Sequence, residues 1–114
     1  MPYISAETVK TKRQAINALF PSRDGWKIST RKEDSNSLVV TILAGPLQLV
    51  EGQRDVYGDT QGVSQEATKI LRAIHEIASE GRTVLHHDQD YGSVPNFYLT
   101  VRVGAWNRPY QLTD

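Results

Sequence analysis

Cysteine is absent from the 114 residues. That lack excludes a disulfide framework, a thiolate nucleophile and a cysteine-ligated zinc site, and it suits a cytoplasmic setting, which is the compartment expected. An excess of charge is absent too, because 13 Lys and Arg stand against 13 Asp and Glu. A protein that coats duplex DNA, a polyanionic DNA mimic and a polybasic membrane anchor would each leave one sign in surplus. Long apolar runs are missing as well. Met1 to Phe20 interleaves polar and apolar residues, without the apolar core of roughly 7–15 residues that a signal peptide needs or the roughly 20 of a membrane span, so neither is expected. No internal repeat, glycine-rich phosphate loop, Gly-x-Ser-x-Gly elbow or cysteine-bearing deaminase signature is present.

What remains is the make-up of an ordinary folded domain. Hydrophobic residues account for 39% and charged residues for 23%, near globular averages, and the length suits one core. Residues 1–114 are therefore expected to form a single domain. Val9, Ile16, Leu19 and Phe20 recur at helical spacing after a capping Ser5, with Glu7 in the first turn, and Pro21 stops the helix. Trp26, Ile28 and Thr30 alternate with polar neighbours as a half-buried strand. Leu38 to Leu43 is β-branched and apolar on both faces, which marks a central strand. Ala44 to Gly62 has four glycines and one proline and reads as a long loop into which Leu47, Leu49 and Val56 dock back. From Ser64 to Glu80, a stripe of Ala67, Ile70, Leu71, Ile74, Ile77 and Ala78 specifies an amphipathic helix that closes at Gly81. Phe97, Leu99, Val101 and Val103 alternate strictly with Tyr98, Thr100 and Arg102, giving a strand with one wet face. An irregular tail follows from about residue 104. The expected architecture is α+β, in the order α-β-β-(loop)-α-β, with two helices packed on one face of a three- or four-stranded, mostly antiparallel sheet.

Chemistry is sparse. Arg13 falls between Val9, Ile16 and Phe20, inside the apolar stripe. Its stem would pack on the core with the head snorkelling outward, or else it would contact a partner together with Lys10, Lys12 and Arg31. His86, His87, Asp88 and Asp90 form a metal-like cluster, but adjacent histidines point apart in extended chain and no distant ligand is identifiable. His75-Glu76 begins like a zincin helix, yet Ser79 stands where the second histidine is needed. No metal and no cofactor are expected. Tyr91, Tyr98, Trp106 and Tyr110 gather late in the chain, and Tyr98 should lie opposite the Phe97 core row, near Arg102, where an exposed ring can anchor a protein partner or stack a base.

Tyr3-Ile4-Ser5-Ala6, a helix carrying Arg13 and ending Leu19-Phe20-Pro21, the strand Trp26 to Arg31, and Ser37 to Thr41 before Gly45-Pro46 together resemble the large polyvalent protein-associated domains of phage and conjugative-element proteins. The resemblance covers about residues 1–46, with weaker similarity around Tyr91 and Phe97-Tyr98. Ala44 stands where that family usually has an acidic residue before Gly-Pro. The family's function is uncharacterised, so the resemblance implies a setting, intracellular work for a phage, plasmid or other mobile genetic element. The leading expectation is accordingly a non-enzymatic accessory or interaction domain. A counter-defence inhibitor that binds a host or element-encoded protein through the 44–62 loop or the Tyr98 face is its concrete version. The alternative is nucleic-acid binding by Lys10, Lys12, Arg13 and Arg31 on the first helix and strand, and third comes a small-molecule or enzymatic site. The candidate binding residues are thus Lys10, Lys12, Arg13, Arg31, Tyr98 and Arg102. No membrane partner is expected, and a homodimer would form if the last strand lay at a sheet edge.

Overall fold

A computed structural model describes residues 3–88, 92–105 and 107–113. Its elements, in chain order, are α1 (Ala6–Leu19), β1 (Lys27–Glu33), β2 (Ser37–Gly45), β3 (Arg54–Asp55), α2 (Gln65–Ser79), β4 (Val84–Asp88), β5 (Gly92–Pro95), β6 (Tyr98–Val103) and β7 (Gln111–Leu112). Both helices begin where capping chemistry places them. Ser5 Oγ accepts the Thr8 N–H at 3.1 Å, and Ser64 Oγ accepts the Ala67 N–H at 3.1 Å, so each serine satisfies a donor left over in a first helical turn. Past α2, Gly81 takes φ +81°, the left-handed conformation that glycine adopts without penalty.

The class is α+β, as expected, but the sheet is mixed and has five strands. Its order is β1-β2-β6-β3, with β7 also paired to β2. β1 and β2 form an antiparallel hairpin. β6 runs parallel to β2, with Leu38 beside Leu99 and Val40 beside Val101. The expectation of a mostly antiparallel sheet fails because α2 lies between these strands in the chain; a helical crossover returns the chain to the end from which β2 started, so the next strand runs alongside in the same direction. β4 and β5 make a separate antiparallel pair in a stretch expected to be polar loop.

One face of the sheet carries the core. Leu38, Val40, Ile42, Val101 and Val103 pack with Val9 and Ile16 of α1 and with Leu71 and Ile74 of α2, an arrangement that follows from the period-two strand pattern meeting helical stripes. Val39, Thr41 and Leu43 are buried on the other face, which makes β2 the doubly covered central strand. The 44–62 segment is held closely. β2 continues through Gly45, β3 pairs with β6 at Arg54 and Asp55, and Leu49, Val50 and Val56 enter the core. The tail is tied back too, by Tyr110 Oη donating to Leu47 O at 2.7 Å and the Thr113 N–H to Gly45 O at 2.7 Å. Gly45 is required there: a Cβ would lie 2.5 Å from both the Trp26 ring and the Tyr110 hydroxyl. Among the described residues, no helix is long and apolar enough to cross a membrane.

Two details of α1 differ from the sequence pattern. Its buried residues are Val9, Lys12 and Ile16, so the cation inside the stripe is Lys12, and Arg13 is exposed. Leu19, expected in the stripe, is 60% exposed. β6 is also not the free edge strand that a strand-paired homodimer would use, since β3 covers it at Arg102 and Val103.

Candidate functional site

Strand parity decides what the helix-free face of the sheet presents. In β1, Ile28 and Thr30 stand beside Ile42 and Val40 on the helix side, which leaves Ser29 and Arg31 on the other. In β6 the same rule sends Leu99, Val101 and Val103 to the helices and Tyr98, Thr100 and Arg102 away from them. The register therefore lays Ser29, Thr41, Arg102 and Asp55 in one row across four strands. Arg31 lies in the adjacent row, beside Val39.

A concavity of about 360 Å³ opens on this face. Ser29 and Arg31 of β1, Thr41 and Leu43 of β2, and Arg102 of β6 line it together with Ala105, Asn107 and Arg108. Arg108 is brought back over the sheet by local turn chemistry. Gly104, at φ +75°, bends the chain after β6, and Ala105 and Arg108 exchange backbone N–H to carbonyl bonds at 2.8 and 2.9 Å. Three arginines thus line one depression whose lining residues include no carboxylate. Among the described residues Arg102 Nε, which is buried, has no acceptor. Asp55, the register neighbour of Arg102, lines a different depression. A concave surface lined by arginine and hydroxyl donors can hold an anionic group in several orientations.

The six candidate binding residues separate into two sets. Arg31 and Arg102 meet at the concavity. Tyr98 is on the same face and 45% exposed, but it is four residues from Arg102, about 13 Å along the strand. The α1 residues belong to the other side of the molecule. Lys10 is exposed. Arg13 donates from Nε and Nη2 to Thr30 O at 3.0 and 2.7 Å, clamping α1 to β1. Lys12 is 6% exposed, and its Nζ donates to Ile77 O at 2.9 Å and Glu80 O at 2.7 Å, with the Phe97 ring 5.7 Å away. It serves the C-terminal end of α2, where carbonyls lack helical partners and the dipole favours a cation. Burial lowers the Lys12 pKa, and Glu80 opposes that shift. The expected joint surface of Lys10, Lys12, Arg13 and Arg31 therefore loses Lys12, which is turned inward, while Arg13 is engaged by the Thr30 carbonyl that leads into Arg31.

Ser29 and Thr41 are the contributors that the sequence pattern does not single out, while Arg108 reads there only as a basic residue near the late aromatics. The polar residue at every second position of β1, and Thr41 within an otherwise apolar strand, are the signals that could have found them. A second depression, of about 200 Å³, is lined by Asp55, Tyr57, His75, Arg82 and Thr100 among others. Burial and then Arg82 lower the His75 pKa. Among the described residues, no group of three or more His, Asp or Glu could hold a metal ion. Asp90, Tyr91 and Trp106, as well as the side chains of His86, His87 and Asp88, lie outside what is described. Comparison with protein-family models, with curated proteins and with solved structures finds no match.

Proposed function

We propose that this chain is a non-enzymatic interaction domain that holds an acidic segment of a protein partner against the helix-free face of its sheet. One observation carries the reading: Arg31, Arg102 and Arg108 line a single concavity with no carboxylate among its lining residues. Arginines that are not neutralised within their own fold are available to an external anion, and arginine anchors in partly desolvated sites dominate many interfaces. The exposed Tyr98 extends the same surface with an aromatic ring of the kind enriched at interfaces. The resemblance to domains of phage and conjugative elements supplies the setting. The partner would be a host or element-encoded protein, and counter-defence inhibition is the concrete form.

The test is affinity capture from lysate of the host cell with three baits: wild type, the Arg31→Ala/Arg102→Gln double variant, and Lys10→Ala on the opposite side. The expected result is one partner retained by wild type and by Lys10→Ala and lost from the double variant, with all three giving the same thermal melt. Retention by the double variant, or capture of nothing by wild type, would refute the reading. Nucleic-acid binding through α1 is less supported, because Lys12 is occupied inside the fold. Salt-sensitive binding of single- or double-stranded DNA that is lost with Lys10→Ala would restore it.

A further inference from the structure

We infer that the Arg31, Arg102 and Arg108 concavity is a site for a phosphate monoester, an inference that deepens the interaction reading and rests on it. The sign of the ligand follows from the lining. Three arginines line one depression with no carboxylate among the lining residues.

The class of anion follows from charge and geometry. A carboxylate brings one negative charge and two oxygens. A phosphate monoester at neutral pH brings about 1.5–2 charges and three free oxygens, which matches three arginine forks, each able to grip two oxygens in plane. Ser29 and Thr41 add hydroxyls and Asn107 adds an amide around the same space. These neutral donors suit a dianion better than a fourth cation would, because they bind it without adding repulsion to the empty site. A phosphodiester fits less well. It carries a single charge and leaves only two free oxygens, and a nucleic-acid strand would want a stacking ring close by, whereas Tyr98 stands about 13 Å along β6 from Arg102. The concavity, at about 360 Å³, is in the range of small-ligand sites, roughly 300–1,000 Å³. It therefore has room for the phosphate and for the group that carries it, whether a phosphorylated side chain or a free phosphate ester.

The experiment is a titration of isotope-labelled full-length protein followed by backbone amide resonances, at constant ionic strength. Four probes are used: inorganic phosphate, a neutral peptide with a single phosphoserine, the same peptide with unmodified serine, and a single-stranded oligonucleotide. The expected result is saturable shifts at Ser29, Thr41, Arg102 and Asn107 with the phosphoserine peptide, none with the serine peptide, and affinity weakened at least about tenfold by Arg102→Gln, the loss of one charged anchor. Arg108→Gln, on the turn, gives the same loss without touching the sheet, so the conclusion survives even if Arg102→Gln fails to fold. Shifts with inorganic phosphate that equal those with the peptide assign the source to a free phosphate ester and support the site. No shift with either phosphate probe at about 10 mM, far weaker than a useful site, overturns the inference. So does an oligonucleotide that binds more tightly than the phosphoserine peptide, or an unchanged affinity in both variants. The interaction reading fails separately. A captured partner that survives phosphatase treatment removes the phosphate and leaves the interface, whereas phosphate shifts without any captured partner remove the interface and leave the site.

Discussion

Replacing Lys12 with methionine isolates the contact that joins the two helices. Methionine keeps the stem and its packing and removes only the amine. The amine donates to Ile77 O at 2.9 Å and to Glu80 O at 2.7 Å, and it lies 5.7 Å from the centre of the Phe97 ring. Hydrogen bonds from a charged donor contribute roughly 1.5–3 kcal/mol each. Removing the ammonium also relieves the cost of having buried it, and Ile77 O keeps the Glu80 N–H as a weaker donor at 3.4 Å. The net loss should be about 2 kcal/mol, which for a domain of this size lowers Tm by about 8 °C. Urea and thermal unfolding followed by circular dichroism measure both. The pH dependence gives a second, independent readout. Because burial holds the Lys12 pKa below its ordinary 10.5, the unfolded chain binds more protons between the folded-state value and 10.5. In that window stability therefore rises with pH. The two carbonyl contacts survive this titration, since a neutral amine still has two N–H groups for two acceptors. The wild-type minus variant difference should show this alkaline rise, which other lysines and tyrosines cannot produce in the difference. A methionine variant as stable as wild type, or a difference that is flat through the alkaline range, would refute the account of Lys12 as the buried cap of α2.

Thr30 faces the helices, is 4% exposed, and has a hydroxyl without a partner among the described residues; Thr30→Val should therefore stabilise by about 1 kcal/mol in urea unfolding, and a loss of stability would mean that the hydroxyl is satisfied. His75 has its pKa lowered below 6.5, first by burial and then by Arg82. The unfolded chain thus takes up its proton first, and stability should fall as pH drops from 6.5 through the folded-state value. His75→Gln should remove that component of the acid loss, as read from unfolding free energies at about pH 7.5 and pH 5; an identical acid slope in the variant would contradict it.

Legibility in the sequence tracks how locally each feature is determined. The helix starts at Ser5 and Ser64, and the inward rows Trp26-Ile28-Thr30 and Leu99-Val101-Val103, rest on capping and alternation within a few residues, and the structure bears them out. The two-residue strand β3 has no periodic signal to read, and the direction of β6 depends on a crossover through α2, so neither was accessible from local pattern. The interior cation shows the same limit at a single residue. Both Lys12 and Arg13 lie one helical turn after Val9, at spacings of three and four, and consecutive residues are separated by only about 100° around the axis. Pattern alone cannot choose between them. The choice is made by two carbonyls at the end of α2, more than sixty residues on, for which a compact ammonium fits. Meanwhile the forked guanidinium of Arg13 finds a single strand carbonyl at the surface. Arg31 and Arg102 are subject to the same reasoning in reverse. Each strand's alternation says which way its arginine points, but only the β1-β2-β6 register puts both above one concavity, two strand spacings across and two residues along, or about 12 Å apart at the backbone, and only the Gly104 turn adds Arg108. The arginines that could meet a ligand are the ones that long-range pairing brings together, and of the cations that neighbour each other in the chain it turns Lys12 inward and engages Arg13 on a strand carbonyl.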